Sequence, residues 1–330
     1  MVRHVLSPQG PAAAVLKRVD RPVLVAFCFI LALIFAGSAY FPQVLTATYL
    51  LQQLQIASFL GVLATGAMLV ILLGHIDLSI PWTFTGAAIV ATALAGIEGT
   101  GPLALAAVPA GLAFGALVGL ANGLGVAYLR APSMIWTLGM NALILGISVF
   151  YTGGFAPTGA PTEFMRAASV GRAVLDIPNA IYVWVILGVT AVFILKLTPL
   201  GRYIYAIGNR ETATYLSGVR TRLVLVFCFV WAGTCSAVGG MLLAGYANQA
   251  YQAMGDPYLL PTIAAVVLGG THILGGRGTY SGTVMGVVLL TLLSSMLSVM
   301  QMQEAGRQII YGGVIIVMLL VYGRGGKIQG

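Results

Sequence analysis

The sequence predicts an all-α polytopic membrane protein, with about ten transmembrane helices arranged as two inverted repeats of five. Three observations lead there. First, 59% of the 330 residues are hydrophobic and only 7% are charged, with a mean hydropathy of +0.98. A soluble domain of this length carries about a quarter charged residues, and it has no interior large enough to hide so much apolar surface. Second, apolar runs of about 20 residues, the length that crosses a bilayer, recur throughout. They fall near 22–42, 50–73, 80–97, 102–129, 132–152, 180–197, 222–246, 258–273, 279–300 and 306–323. Third, the basic residues alternate with that pattern. With the N-terminus inside, the cytoplasmic segments hold 13 of the 16 Lys and Arg residues. The opposite side holds Arg166, Arg172 and Arg307, outnumbered there by Glu98, Glu163, Asp176, Asp256 and Glu304. Such a split is what positive-inside topology requires, and an error of one span would scramble it.

The domain organisation follows. Residues 1–21 carry Arg3, Lys17, Arg18 and Arg21 and lack a signal peptidase site after a short apolar core, so they read as a cytoplasmic tail before an uncleaved span. Residues 22–323 form one transmembrane domain, with 324–330 as a cytoplasmic C-terminal tail. Because five is odd, a second set of five spans enters the membrane from the opposite side, which gives inverted repeats. The net charge of +8 does not indicate nucleic acid, since the charges sit at span ends rather than in one basic patch.

Within the spans, small residues mark close helix approaches. Gly111, Gly115, Gly119 and Gly123 recur every four residues along the fourth span, and Gly278, Gly282 and Gly286 do so at the start of the ninth. Rows of this kind let backbones meet in lipid, where no hydrophobic drive joins one helix to another. Outside the membrane, the 153–179 loop is the longest outer segment, and a short surface helix is expected through 162–170.

Polar residues in the apolar regions are few. GHIDLSIPW, 74–82, interrupts two spans without a proper loop, and Gly74 and Pro81 both break helices. Irregular backbone at membrane depth is tolerated only inside protein or beside a water-filled cavity. Asp77 either caps the helix that starts near Ser79 or marks a translocation path. His75 is either a pH-sensitive group or a hydrogen-bonded packing residue. Asn122 and Asn141 either face a polar path or bridge helices. His75, Asp77, Ser79, Asn122 and Asn141 are therefore the candidate path residues.

The longest hydrophilic interruption, 198–222, carries Arg202, Arg210, Arg220 and Arg222 with the single acid Glu211. Its centre can form a short helix, with Asn209 as cap and Gly218 as stop. A basic loop of this length faces the cytoplasm, and a short helix in it has little to bury alone. It is either a solvated connector or a docking element.

Enzymatic chemistry finds little support. No phosphate-binding G-x-x-x-x-G-K-[ST] occurs, and the terminal GRGGK lacks its spacing. The histidines stand apart at 4, 75 and 272, so no metal cluster is apparent. Cys28, Cys228 and Cys235 all lie in apolar runs and indicate no disulfide framework.

Four stretches together carry a family resemblance: GHIDLS at 74–79, APSMIWTLGM at 131–140, TPLGRYIYAIGNRETATYLSGV at 198–219 and IAAVVLGGTHILGGRGTYSGTVMG at 263–286. The sequence resembles the inner-membrane permeases of ATP-binding-cassette importers, in the ribose-type branch related to branched-chain amino acid permeases. The resemblance implies a multi-pass protein of the bacterial inner membrane that translocates a monosaccharide or similar polyhydroxylated solute. A periplasmic binding protein would deliver the solute, and a second permease copy or a sibling would complete the channel. A cytoplasmic ATPase dimer would carry the ATP and Mg, with no cofactor on this chain. In such permeases the mid-chain loop carries a degenerate EAA-type motif that docks on the ATPase. Here Arg210, Glu211, Thr212, Ala213, Leu216 and Gly218 occupy it, with Thr212 in place of an alanine. The chain departs from the family at His75, where Gly is usual, and at Ile80-Pro81, where Val-Gly is usual. Other solutes left open are a nucleoside, a polyol or a signalling sugar derivative. An ion-coupled secondary transporter is the main reading from outside the class, and a purely structural membrane subunit is the other.

Overall fold

The computed structural model describes residues 21–155 and 157–323. The basic tail residues Arg3, Lys17, Arg18, Arg324 and Lys327, on which part of the topology expectation rests, lie outside the described residues. In chain order the helices are α1 (Arg21–Tyr40), α2 (Ala47–Leu72), α3 (Ile80–Ala95), α4 (Ala104–Ala127), α5 (Ser133–Thr152) and α6 (Glu163–Val170). There follow α7 (Asn179–Leu197), α8 (Pro199–Leu216), α9 (Thr221–Ala247), α10 (Leu259–Leu268), α11 (Tyr280–Val299) and α12 (Glu304–Gly323). Two 3₁₀ turns, Pro42–Leu45 and Asp256–Tyr258, complete the regular structure, and no strand forms among the described residues.

By length and composition, six helices among the described residues can cross a membrane: α2, α4, α5, α7, α9 and α11. That is fewer than the ten spans expected. The expected spans 80–97 and 258–273 fold as helices of only 16 and 10 residues. At about 1.5 Å per residue they reach about 24 and 15 Å, short of the roughly 30 Å hydrocarbon core. Irregular segments take up the rest, since GHIDL precedes α3 and the glycine-rich 269–279 follows α10.

The bundle is built around α2. Every residue from Ala57 to Leu72 is buried, as befits a helix apolar on all sides. Helix α9 packs along it, with α7, α10 and α11 around the remaining faces. Helix α4 reaches α9 through its glycine row. A Cβ at Gly115 or Gly119 would strike the backbone carbonyl of Gly233 or Phe229, and one at Gly123 would meet Val226 Cα at 2.7 Å. At Gly111 the obstacle is Met241 Sδ, at 2.7 Å. Gly282 and Gly286 likewise face the carbonyls of Gly269 and Ala265 on the α10 side. Gly278, expected at the head of the same row, lies before the helix instead and meets Thr271. Helix α1 rests on α11 through Ile30, Leu289 and Leu292. Helix α5 turns Ile135, Leu138, Leu143, Ile147 and Phe150 outward, an apolar face for lipid or a partner helix.

The two ends of the bundle differ. At one, the surface helix α6 starts where the Thr162 hydroxyl accepts from Met165 N at 3.2 Å. Gln55 Nε2 donates to Ser169 O at 3.0 Å, and Arg166 Nη1 donates to Asn248 Oδ1 at 3.2 Å, tying α6 to α2 and α9. At the other end, 130–135, 211–222 and the 272–278 turn gather around His75 and Gly74.

The hydrophilic segment differs from its expected form. Helix α8 starts at Pro199, where Thr198 Oγ1 accepts from Gly201 N at 3.4 Å. Asn209 is therefore not a cap, and its amide donates to Tyr205 O at 2.9 Å as an interior helical residue. The helix is interrupted at Arg210 (φ −163°, ψ 95°), which sets 211–216 apart as its own turn and a half. Gly218 ends it with φ +83°, the left-handed conformation that only glycine adopts freely, and its N–H donates to Tyr215 O at 2.9 Å.

Candidate functional site

The break between α2 and α3 is non-helical backbone, so its N–H groups need partners inside an apolar bundle. Helix α5 supplies them. Ser133 Oγ accepts from Ile76 N at 3.3 Å, and Thr137 Oγ1 accepts from Leu78 N at 2.9 Å. Ser133 and Thr137 are four residues apart on one helical face, so a single face of α5 braces the break at Ile76 and Leu78. They were not singled out from the sequence, although both lie in APSMIWTLGM. The available signal was a pair of hydroxyls at helical spacing on an otherwise apolar segment.

Asp77 is 4% exposed, and its Oδ1 accepts from Ser79 N at 2.8 Å and from Ser79 Oγ at 2.6 Å. It holds the N-terminus of α3, where a carboxylate is favourable. Asn122 Nδ2, from α4, donates to Ser79 Oγ at 2.7 Å, and Asn141 Oδ1, from α5, accepts from Trp82 N at 3.4 Å. Four of the five candidate path residues thus converge on the start of α3. Asn122 is fully buried, and its Oδ1 has no partner among the described residues. Whatever else they do, both asparagines bridge helices.

A second irregular segment meets the first. After α9 the chain turns back at Asn248, and Gly255 N donates to Thr85 Oγ1 at 3.0 Å. Tyr258 stacks on Phe84 with ring centroids 5.4 Å apart, and the Trp82 indole donates to the Asp256 carboxylate. The α3 start is therefore enclosed by the 248–258 segment as well as by α4 and α5.

His75 stands apart from this cluster. It lies 6.3 Å from Phe229, centroid to centroid, and faces a cavity of about 920 Å³. Arg130, Ser133 and Arg222 line that cavity, and so do Glu211, Thr212 and Tyr215 of the hydrophilic segment. Arg222 is held over the Tyr128 ring at 5.3 Å. Glu211, Thr212 and Ala213 are exposed, as are Tyr215 and Leu216, while Thr214 is buried against the bundle. With Tyr215 63% and Leu216 79% exposed, this turn presents an uncovered apolar surface.

Residues 49–319 match the family described as branched-chain amino acid transport system permease component. The chain belongs to that family. Among its relatives, the ribose import permease protein RbsC of Escherichia coli (strain K12) is 33% identical over 305 residues, covering 92% of this chain and 93% of its own. The probable ABC transporter permease protein YphD of the same strain is 29% identical over 317 residues, covering 95% and 93%. The autoinducer 2 import system permease protein LsrC of Shigella flexneri is 32% identical over 268 residues, covering 81% and 77%. No solved structure matches. The broken segment and the exposed turn meet at the cavity, through His75 on one side and Glu211, Thr212 and Tyr215 on the other.

Proposed function

We propose that this chain is the transmembrane permease of an ATP-binding-cassette importer for a monosaccharide or similar small polyhydroxylated solute. The observation that carries the reading is the shared cavity, lined by His75 of the broken segment and by Glu211, Thr212 and Tyr215 of the exposed loop. A movement imposed on the loop from outside then acts on the end of the broken segment, which is what ATP-driven alternating access requires. The uncovered turn 211–216, closed by Gly218, is the docking site for a cytoplasmic ATPase dimer that carries the ATP and Mg. His75, Asp77, Ser79, Asn122 and Asn141 border the route of the solute, with the unpartnered Asn122 Oδ1 as an acceptor for a solute hydroxyl. A periplasmic binding protein delivers the solute, and a second permease, identical or a sibling, completes the assembly in the inner membrane with both termini cytoplasmic.

The element order supports a ten-helix reading with inverted repeats of five. In the first half a long helix, α2, is followed by the 73–79 break, the short α3, a glycine turn and the long α4. The second half repeats this as α9, 248–258, the short α10, a glycine turn and α11. Helices α1 and α7 precede these series, and α5 and α12 follow them. Paired short helices at equivalent positions are the mark of such repeats.

The test is co-purification with the cognate ATPase and binding protein, followed by ATPase assays over a panel of monosaccharides. Stimulation by one loaded binding protein, abolished when the exposed turn 211–216 is mutated, is the expected result. Absence of any complex or stimulation would favour an ion-coupled transporter. A signalling sugar derivative is the second reading, favoured by the likeness to the autoinducer 2 permease, and autoinducer 2 belongs in the same panel.

A further inference from the structure

Three distant segments close on one another backbone to backbone at Leu72, Gly208 and Gly276. Gly276 N donates to Leu72 O at 2.9 Å, which joins the turn after α10 to the last residue of α2. Gly208, two residues before the break in α8, lies so close that an added Cβ would strike both Leu72 O and Gly276 N. Asn209 closes the third side, its Oδ1 2.6 Å from where a Cβ on Gly276 would stand, and Gly276 itself has φ +76°. A Cβ on Gly275 would meet Gly74 N at 2.6 Å and Leu72 O at 2.8 Å. The junction therefore joins the stem of the exposed turn, the end of the buried central helix that leads into the 73–79 break, and the 272–278 turn.

What flanks the junction gives it a direction. Ile204 and Ile207, on its bundle side, are buried at 0% and 3% exposure. Beyond it, Arg210 leaves helical geometry and the exposed turn begins, braced where Thr214 Oγ1 donates to Arg210 O at 3.0 Å. A displacement of 211–216 is thus passed through one non-helical residue to Asn209 and Gly208. From there it meets the Leu72 carbonyl, because close-packed backbone has no compliant side chain to absorb it. We propose that this junction is the transmission element between the docking turn and the broken segment, with Gly208 as its positioning residue. The inference rests on the importer reading and adds the route by which ATPase movement reaches the path.

Gly208→Ala tests it in proteoliposomes that hold the permease, its ATPase and the loaded binding protein. The solute is D-ribose, or whichever monosaccharide of the panel stimulates the parent complex. The readout is solute taken up per ATP hydrolysed, which a simple loss of folded protein does not change. The variant is expected to keep its ATPase and continue hydrolysis while that ratio falls about fivefold or more. A ratio equal to the parent's overturns the inference. Should Gly208→Ala fail to assemble, Asn209→Ala, which loosens the junction without a clash, decides by the same ratio. A parent complex that neither hydrolyses ATP in response to solute nor takes it up overturns the importer reading itself.

Discussion

Replacing Asp77 separates its two possible roles. The carboxylate accepts two hydrogen bonds through one oxygen, from Ser79 N and Ser79 Oγ, and Ser79 is 1% exposed. In Asp77→Asn the amide oxygen still accepts both, so only the negative charge at the helix N-terminus is lost, about 0.3–1 kcal/mol. In Asp77→Ala the buried Ser79 N–H loses its partner, which costs about 1–3 kcal/mol, a factor of about 5 to 150 in the balance between native and opened forms. The expected order of thermal stability in detergent is parent, then Asn close below it, then Ala well below. The assay is the temperature at which half the protein leaves the monodisperse peak, read alongside solute uptake in vesicles. If Asp77 acts through its hydrogen bonds, the Asn variant transports near the parent rate. Abolished uptake in Asp77→Asn with unchanged stability would refute that reasoning, because it would show that the charge itself is needed.

Other expectations follow from single contacts. Glu211→Lys, at an exposed position, leaves thermal stability unchanged and abolishes both ATPase retention and uptake; normal uptake would sink the docking assignment. Gly119→Ala forces a methyl against Phe229 O, an overpacking cost of about 1–3 kcal/mol, and lowers the melting temperature. Gly139→Ala, on α5 with nothing within 4 Å of its added Cβ, is neutral or stabilising by about 0.5–1 kcal/mol, and a loss comparable to Gly119→Ala would discredit the packing argument. His75→Gly opens the wall of the inner cavity, so competition assays with solutes of increasing size should show larger ones accepted. An unchanged size profile would mean that His75 does not border the route.

The membrane class, the hydrophilic exposure of the 198–222 segment and the glycine row of α4 were legible in the sequence. Each depends on composition or on a spacing along one helix. The break at 74–79 was legible for the same reason, since Gly74 and Pro81 bracket it within nine residues. The surface helix near 162–170 was marked by its own local signals. The α8 cap was misplaced because Asn209 has the right chemistry for a helix start, but its side chain is engaged with Tyr205 O inside a helix that began at Pro199. Six of the ten expected spans fold, among the described residues, as single apolar helices long enough to cross a membrane; hydropathy measures apolar length and not helix continuity. Residues 258–273 are apolar enough for a span, yet Gly269 and Gly270 end the helix after ten residues.

What the sequence by itself determined is which stretches are apolar enough for a membrane, where the chain is charged and where a helix must break. Those properties are fixed by neighbours a few residues away. Only the tertiary structure decided which groups satisfy the broken backbone and what the hydrophilic loop touches. Ser133 and Thr137 lie more than fifty residues from the N–H groups they accept, and Gly208, Leu72 and Gly276 meet across three segments. Hydrogen bonds and steric contacts act over a few ångströms in space, and no periodicity along the chain records which distant residues will share that space.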